Sequence, residues 1–344
     1  MENPTLTFVT PTLLAGDRSL ASVVAHEIAH SWTGNLVTNA TWNHFWLNEG
    51  FTVFLERKIL SNMFGEKTRH FEILQGNSDL KSSVELFGRE HEATKLVVQY
   101  DEATDPDDFF SSVPYEKGSQ LLFYLETIVG MEAFERFLFS YLNTYKNKVL
   151  TTEDFLDFFR KYFADDISEI EKKVDWNAWL HTPGMPPVDV TKLLDTSLAD
   201  TCTSLADKWT KSSSFESFSH QDVKEWTAAQ LGLFLDTLLD NEKPLSTEAI
   251  EALEKNYKFS SFKNCEIRFS WYKLCLKAKY EKIFDSVVSM LKEQGRMKYT
   301  RPLYRSLAAC SENGKDLAVK TFGEYRQNYH NICSKMVAKD LSLN

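Results

Sequence analysis

The pentapeptide His26-Glu27-Ile28-Ala29-His30 limits what this 344-residue chain can become more than any other feature. Two histidines four positions apart on a helix project from one face about one turn apart, so both imidazoles can share a single tetrahedral ion. A zinc site that does chemistry takes three protein ligands and keeps a fourth position for water, so a third ligand has to arrive from another element. Glu49, in Trp46-Leu47-Asn48-Glu49-Gly50, stands nineteen positions after His30 and is the candidate. The requirement is architectural: the helix carrying Glu49 has to pack antiparallel on the one carrying the histidines. One zinc ion on His26, His30 and Glu49 is the expected cofactor. Glu27 is the expected general base, because a carboxylate within one hydrogen bond of the water can take its proton.

Around this pair of helices the pattern is mainly α. Apolar spacing predicts helices over Ser19–Thr33, closed by Gly34, and over Leu47–Met63, with Gly65 beyond. Further helices are predicted over Tyr115–Val129, Glu132–Tyr145, Thr152–Ala164 and Ile167–Leu180. The segment from Thr5 to Thr10 alternates polar and apolar residues and reads as a short strand ended by Pro11. The clearest break is His181-Thr182-Pro183-Gly184-Met185-Pro186-Pro187-Val188, where prolines and a glycine cannot continue a helix. It divides the chain into a domain over 1–182, a linker over 183–190 and a second domain over 191–344. That second domain shows successive short amphipathic helices, Val223–Leu239, Thr247–Tyr257, Glu266–Lys277, Tyr280–Gln294 and Lys315–Tyr329, which suggest a solenoid-like layer.

Forty-nine acidic against 39 basic residues give a net charge of −10, which argues against nucleic acid as a partner, since phosphate contacts draw on Lys and Arg clusters. An anionic substrate needs a local basic pocket. No apolar run of spanning length and no signal-peptide pattern occurs, so no membrane partner is expected. The five cysteines, Cys202, Cys265, Cys275, Cys310 and Cys333, are odd in number and scattered. They read as buried thiols of a cytoplasmic protein, expected to be a monomer.

Taken with Met1-Glu2-Asn3, Val113-Pro114-Tyr115-Glu116-Lys117-Gly118, Asp175-Trp176-Asn177-Ala178-Trp179-Leu180 and the stretch from Glu293 to Pro302, the metal motif resembles the zinc aminopeptidases of the gluzincin class. Within the class the similarity is to the leukotriene A4 hydrolase branch, which joins aminopeptidase and epoxide hydrolase activities. The resemblance implies a thermolysin-like catalytic portion over 1–182 and an armadillo- or HEAT-type α-helical C-terminal domain over 191–344. Cleavage of short peptides from a free N-terminus is the implied activity. Epoxide opening of a fatty-acid epoxide and a catalytically impaired zinc-binding fragment are the alternatives.

Carried over position by position, the resemblance makes Glu2 the group that binds the substrate's α-amino group. It makes Tyr115 the hydroxyl on the tetrahedral oxyanion, and Arg296 with Lys298 the basic pair that holds a substrate carboxylate. Asp107 matches the aspartate that directs water in epoxide opening, while Phe110 replaces the branch's pocket tyrosine. In the family the Met-Glu-Asn motif is internal and follows a large N-terminal β domain, so the sequence reads as an N-terminally truncated form.

Overall fold

The computed structural model describes residues 1–101 and 104–343. It contains two units: one comprises Met1–Val9 and Ala21–Ser197, the other Thr10–Leu20 and the chain from Leu198 onward.

The first unit holds α1 (Ala21–Ala29), β1 (Val37–Asn39), α2 (Trp46–Phe64), α3 (Glu66–Phe87), α4 (Val113–Val129), α5 (Met131–Tyr145), β2 (Lys148–Leu150), α6 (Thr152–Tyr162), α7 (Ile167–Glu171) and α8 (Trp176–His181). Its central element is α2, in which every residue from Trp46 to Phe54 is buried, Glu49 included. A helix buried all round runs through a core and not along its edge, so Glu49 is delivered to the inside. Aromatic packing fixes it there: Phe51 stacks on Tyr141 with centroids 5.2 Å apart, Trp46 meets Phe155 edge-on at 5.4 Å, and Phe54 meets Phe134 at 5.5 Å. The start of α2 is tied to α6, since Trp46 Nε1 donates to Thr152 Oγ1 (3.0 Å) and the Thr152 amide donates to His44 Nδ1 (3.1 Å). β1 pairs in parallel with β2, Val37 opposite Lys148, and anchors the connection between α1 and α2.

Two expectations are corrected. The segment from Thr5 to Thr10 is not a strand: the Phe8 amide donates to the Met1 carbonyl (3.1 Å), Thr5 adopts φ 65°, and Pro11–Leu13 forms a 3-10 turn. A strand needs a ladder partner along its length, whereas the backbone bonds of Leu6 and Phe8 close locally on Asn3 and Met1. The helix expected over Ile167–Leu180 is two helices, because the Asp175 side chain accepts from the Ala178 amide (2.9 Å) and caps a new start. The first unit runs to Ser197 and so includes the proline-rich stretch over 183–190.

That stretch is stapled to the first unit. The Lys117 side chain is fully buried on α4 and donates to the carbonyls of Thr94 (3.0 Å), Thr182 (2.9 Å) and Gly184 (2.9 Å). The Gly184 amide in turn donates to Thr94 Oγ1 (2.8 Å), and Val190 is buried in the same core. A proline-rich segment with its carbonyls satisfied by one ammonium packs as a wall. Lys117→Met would leave three carbonyls without that donor, and we expect stability to fall by roughly 2–4 kcal/mol. A lower urea midpoint with faster proteolysis within residues 182–190 is the expected result; an unchanged midpoint would show the staple to be dispensable.

In the second unit, α9 (Ser197–Lys211), α10 (Ala228–Asp240), α11 (Thr247–Tyr257), α12 (Cys265–Lys277), α13 (Phe284–Glu293), α14 (Met297–Cys310), α15 (Glu312–Tyr325) and α16 (Asn331–Asp340) follow one another. Helices α10, α12, α14 and α16 pack in succession, with α13 and α15 against α14, which gives a solenoid-like stack. The Asn264 side chain caps α12 and donates to Ser19 Oγ (2.8 Å), holding the Thr10–Leu20 segment in this unit. All five cysteines are buried and free, and no described helix is long and apolar enough to cross a membrane.

Candidate active site

His26 lies in the last turn of α1, and the His30 amide just beyond the helix still donates to the His26 carbonyl (3.2 Å), so the two rings leave the chain one turn apart. The chain then turns sharply at Gly34, φ 112°. A Cβ there would sit 2.4 Å from Asn48 Oδ1 and 3.1 Å from His30 Nδ1, so the turn is open only to glycine.

The outer nitrogens fix the tautomers. His26 Nδ1 bonds to Glu56 Oε2 (3.0 Å) and His30 Nδ1 to the Thr33 carbonyl (3.0 Å); both partners can only accept, so each Nδ1 carries a proton. In the neutral rings this leaves the two Nε2 atoms as lone pairs facing each other at 3.1 Å. Glu49 Oε2 completes the triangle at 3.3 Å from His26 Nε2 and 3.4 Å from His30 Nε2, buried and without a conventional hydrogen-bond partner. Three electron-rich atoms converging in this way repel one another unless a cation lies among them. Ligands at the corners of a tetrahedron around zinc at 2.0–2.1 Å are about 3.3 Å apart, so the donor set fits that ion in spacing as well as in chemistry.

The electrostatics are consistent with a cation site. Burial opposes charge on His26, but Glu49 and Glu56 outweigh it and push its pKa up to about 10. Burial likewise opposes charge on Glu49, yet the two imidazoles hold it down at about 2. Glu56 escaped the sequence reading although a signal existed: it lies seven positions after Glu49, two turns along the same helix.

The remaining expected groups of the first unit divide. Glu2 and Glu27 each bring a carboxylate oxygen into one group with a His30 nitrogen, all within 4.8 Å of one another. Asn35 Nδ2 donates to the Glu2 carbonyl (2.7 Å), and the Met1 nitrogen lies 3.1 Å from both Glu27 oxygens, so a turn, not a strand, carries Glu2 to the site. Tyr115, in the first turn of α4, stacks on His26 with centroids 6.3 Å apart. Burial, and then the Glu49 carboxylate beside it, raise its hydroxyl well above the ordinary phenol range. Phe45 and Phe110 meet the Tyr115 ring edge-on at 6.1 and 6.2 Å. Asp107 is exposed on the 3-10 turn Pro106–Phe109, its amide donating to Asp105 Oδ1 (3.0 Å).

Arg296 and Lys298 belong to the second unit, at the start of α14. Lys298 Nζ donates to Glu266 Oε1 (2.6 Å), and the Arg296 guanidinium lies over the Tyr299 ring at 5.4 Å, so the two cations share one exposed cluster.

Residues 1–179, half of the chain, match the Peptidase family M1 domain. The chain belongs to peptidase family M1. Residues 226–341 match the C-terminal domain of leukotriene A4 hydrolase. Over 346 residues the sequence is 49% identical to leukotriene A-4 hydrolase of Xenopus laevis, covering 100% of this chain and 56% of that protein. It is 44% identical over 345 residues to leucine aminopeptidase 2 of Aspergillus niger, covering 99% and 55%. The native leukotriene A4 hydrolase of Saccharomyces cerevisiae superposes with a TM-score of 0.92 at 42% identity, covering 100% of this chain and 57% of that one. The chain thus spans a little over half the length of these relatives. Membership of the M1 family implies zinc.

Proposed function

We propose that this M1 chain is a zinc aminopeptidase that removes N-terminal residues from short peptides, with one ion held by His26, His30 and Glu49. The observation that carries the reading is the triangle of His26 Nε2, His30 Nε2 and a Glu49 oxygen at 3.1, 3.3 and 3.4 Å, with two further carboxylates beside it. When bound, zinc lowers the pKa of water toward neutrality and polarises a carbonyl oxygen. Glu27 takes the proton of the attacking water and returns it to the leaving amine. The Tyr115 hydroxyl, kept protonated by burial and by Glu49, donates to the oxyanion that develops on the peptide carbonyl. Glu2 binds the substrate's α-ammonium by a charge-assisted hydrogen bond, which restricts cleavage to the first residue. Arg296 and Lys298 hold the carboxylate of a short peptide.

Two relatives support this reading: one at 44% identity bears the name leucine aminopeptidase 2, and the yeast leukotriene A4 hydrolase has been solved in complex with bestatin. The second reading, epoxide opening with Asp107 directing water, is favoured by the 49% identity to leukotriene A-4 hydrolase. The cytoplasm is the compartment we infer, in keeping with five buried free thiols.

The deciding experiment is hydrolysis of an alanyl or arginyl tripeptide and of its amide by the purified chain with one equivalent of zinc. Cleavage of both, faster for the free carboxylate, is the expected result. Equal rates would remove Arg296 and Lys298 from carboxylate binding. Zinc bound without cleavage of either peptide would favour the impaired-fragment reading.

A further inference from the structure

Behind the ligand triangle α2 and α4 touch at Gly50 and Gly118, where a Cβ on Gly50 would lie 2.9 Å from Gly118 Cα. The contact lies one residue beyond Glu49 and three beyond Tyr115. Glycine against glycine lets two backbones approach closely, but with no side chains interlocking it fixes neither the rotation of one helix nor its slide along the other. Some other contact has to set where the Tyr115 hydroxyl points.

Arg57 makes such a contact at the residue next to Tyr115. From α2 its Nη2 donates to both oxygens of Glu116 on α4, each at 2.9 Å, while its Nη1 donates to Ser119 Oγ (3.0 Å). Ser119 Oγ donates to the Glu116 carbonyl (3.1 Å), so backbone and side chain of the residue next to Tyr115 are both held. Arg57 Nη2 also donates to the Glu72 carbonyl of α3 (3.0 Å). Gly76 lets α3 close over the pair: a Cβ there would fall 2.0 Å from Glu116 Oε2 and 2.3 Å from Arg57 Nη2. Both side chains are buried, 7% and 11% exposed. A buried ion pair seldom stabilises a fold more than apolar residues of the same volume. What a guanidinium fork adds is direction.

We propose that the Arg57–Glu116 pair is a positioning device that sets the rotation of α4 and so aims the Tyr115 hydroxyl at the reacting carbonyl; it rests on the oxyanion role given to Tyr115 above. Neither residue is a ligand or touches substrate, and their effect on turnover runs through α4.

The test combines tripeptide kinetics with 19F spectra of protein labelled with 3-fluorotyrosine, the Tyr115 signal being assigned by its loss in Tyr115→Phe. Glu116→Gln should lower kcat roughly 10–100-fold with KM and zinc content unchanged, and should shift the Tyr115 resonance. In a Tyr115→Phe background the same substitution should cost less than about 3-fold, because the hydroxyl it aims is already gone. The double variant Arg57→Met with Glu116→Leu keeps the volume without the charges, and should fold yet be as slow as Glu116→Gln. Native kcat with an unmoved Tyr115 signal in either variant would overturn the proposal, as would equal losses with and without the hydroxyl. Should Tyr115→Phe itself turn over at the native rate, the oxyanion role fails, and the resonance alone still reports whether the pair holds α4.

Discussion

Glu27→Gln is expected to keep its zinc and lose its turnover. The substitution preserves shape, and the proposed ligands are His26, His30 and Glu49, so metal content by mass spectrometry should match the native chain. What disappears is the group that accepts the proton of the attacking water, for which general-base catalysis gives about a 10²–10⁴-fold loss in kcat. Glu27 has the access the role requires, since its side chain is 15% exposed against 6% for Glu49. Turnover within a few-fold of native in a zinc-loaded Glu27→Gln chain would remove Glu27 from the base role.

The second large effect belongs to the metal itself. Glu49→Gln replaces the one anionic donor of the triangle by a neutral amide in a buried place, and leaves two imidazoles to hold the ion. Zinc affinity, read by competition with a chelator, should fall by more than the roughly 10–100-fold expected for loss of an outer-shell partner. Glu56→Gln supplies that comparison, because Glu56 touches only the far nitrogen of His26; its loss should lie within the smaller range. An inverted order, with Glu56→Gln the more damaging, would mean that Glu49 is not a ligand. Removing zinc from the native chain by chelation should abolish peptide cleavage, and its return should restore it.

The two kinds of information are separable residue by residue. Helix α11 runs over Thr247–Tyr257, where periodicity puts it, with the Ser246 side chain capping its start, and α2 ends against Gly65, where the pattern stops. Caps and apolar spacing act within one or two turns, so they can be read along the chain. Helix α3 was missed because its buried face includes Arg69 and Gly76 as well as Phe71, Ile73, Leu80 and Val84, which interrupts the apolar period. Arg69 is inside because it lies between the rings of Phe54 and Phe123 and pairs with Glu126 on α4, partners that are distant in sequence.

The same division runs through the site. That His26, His30 and Glu49 come together was legible because two histidines one turn apart on a helix call for a third donor from a neighbouring element, and a spacing is a property of sequence. The tertiary structure alone decided that Glu2 comes beside His30 on a turn, that Glu56 bonds His26, that Lys117 makes a wall of the proline-rich segment, and that Arg57 on α2 pairs with Glu116 on α4. Each of these is a polar group buried or half-buried against a partner dozens of residues away or on another element. Burying such a group is unfavourable until that partner is in place, so its position is fixed only when the helices have packed.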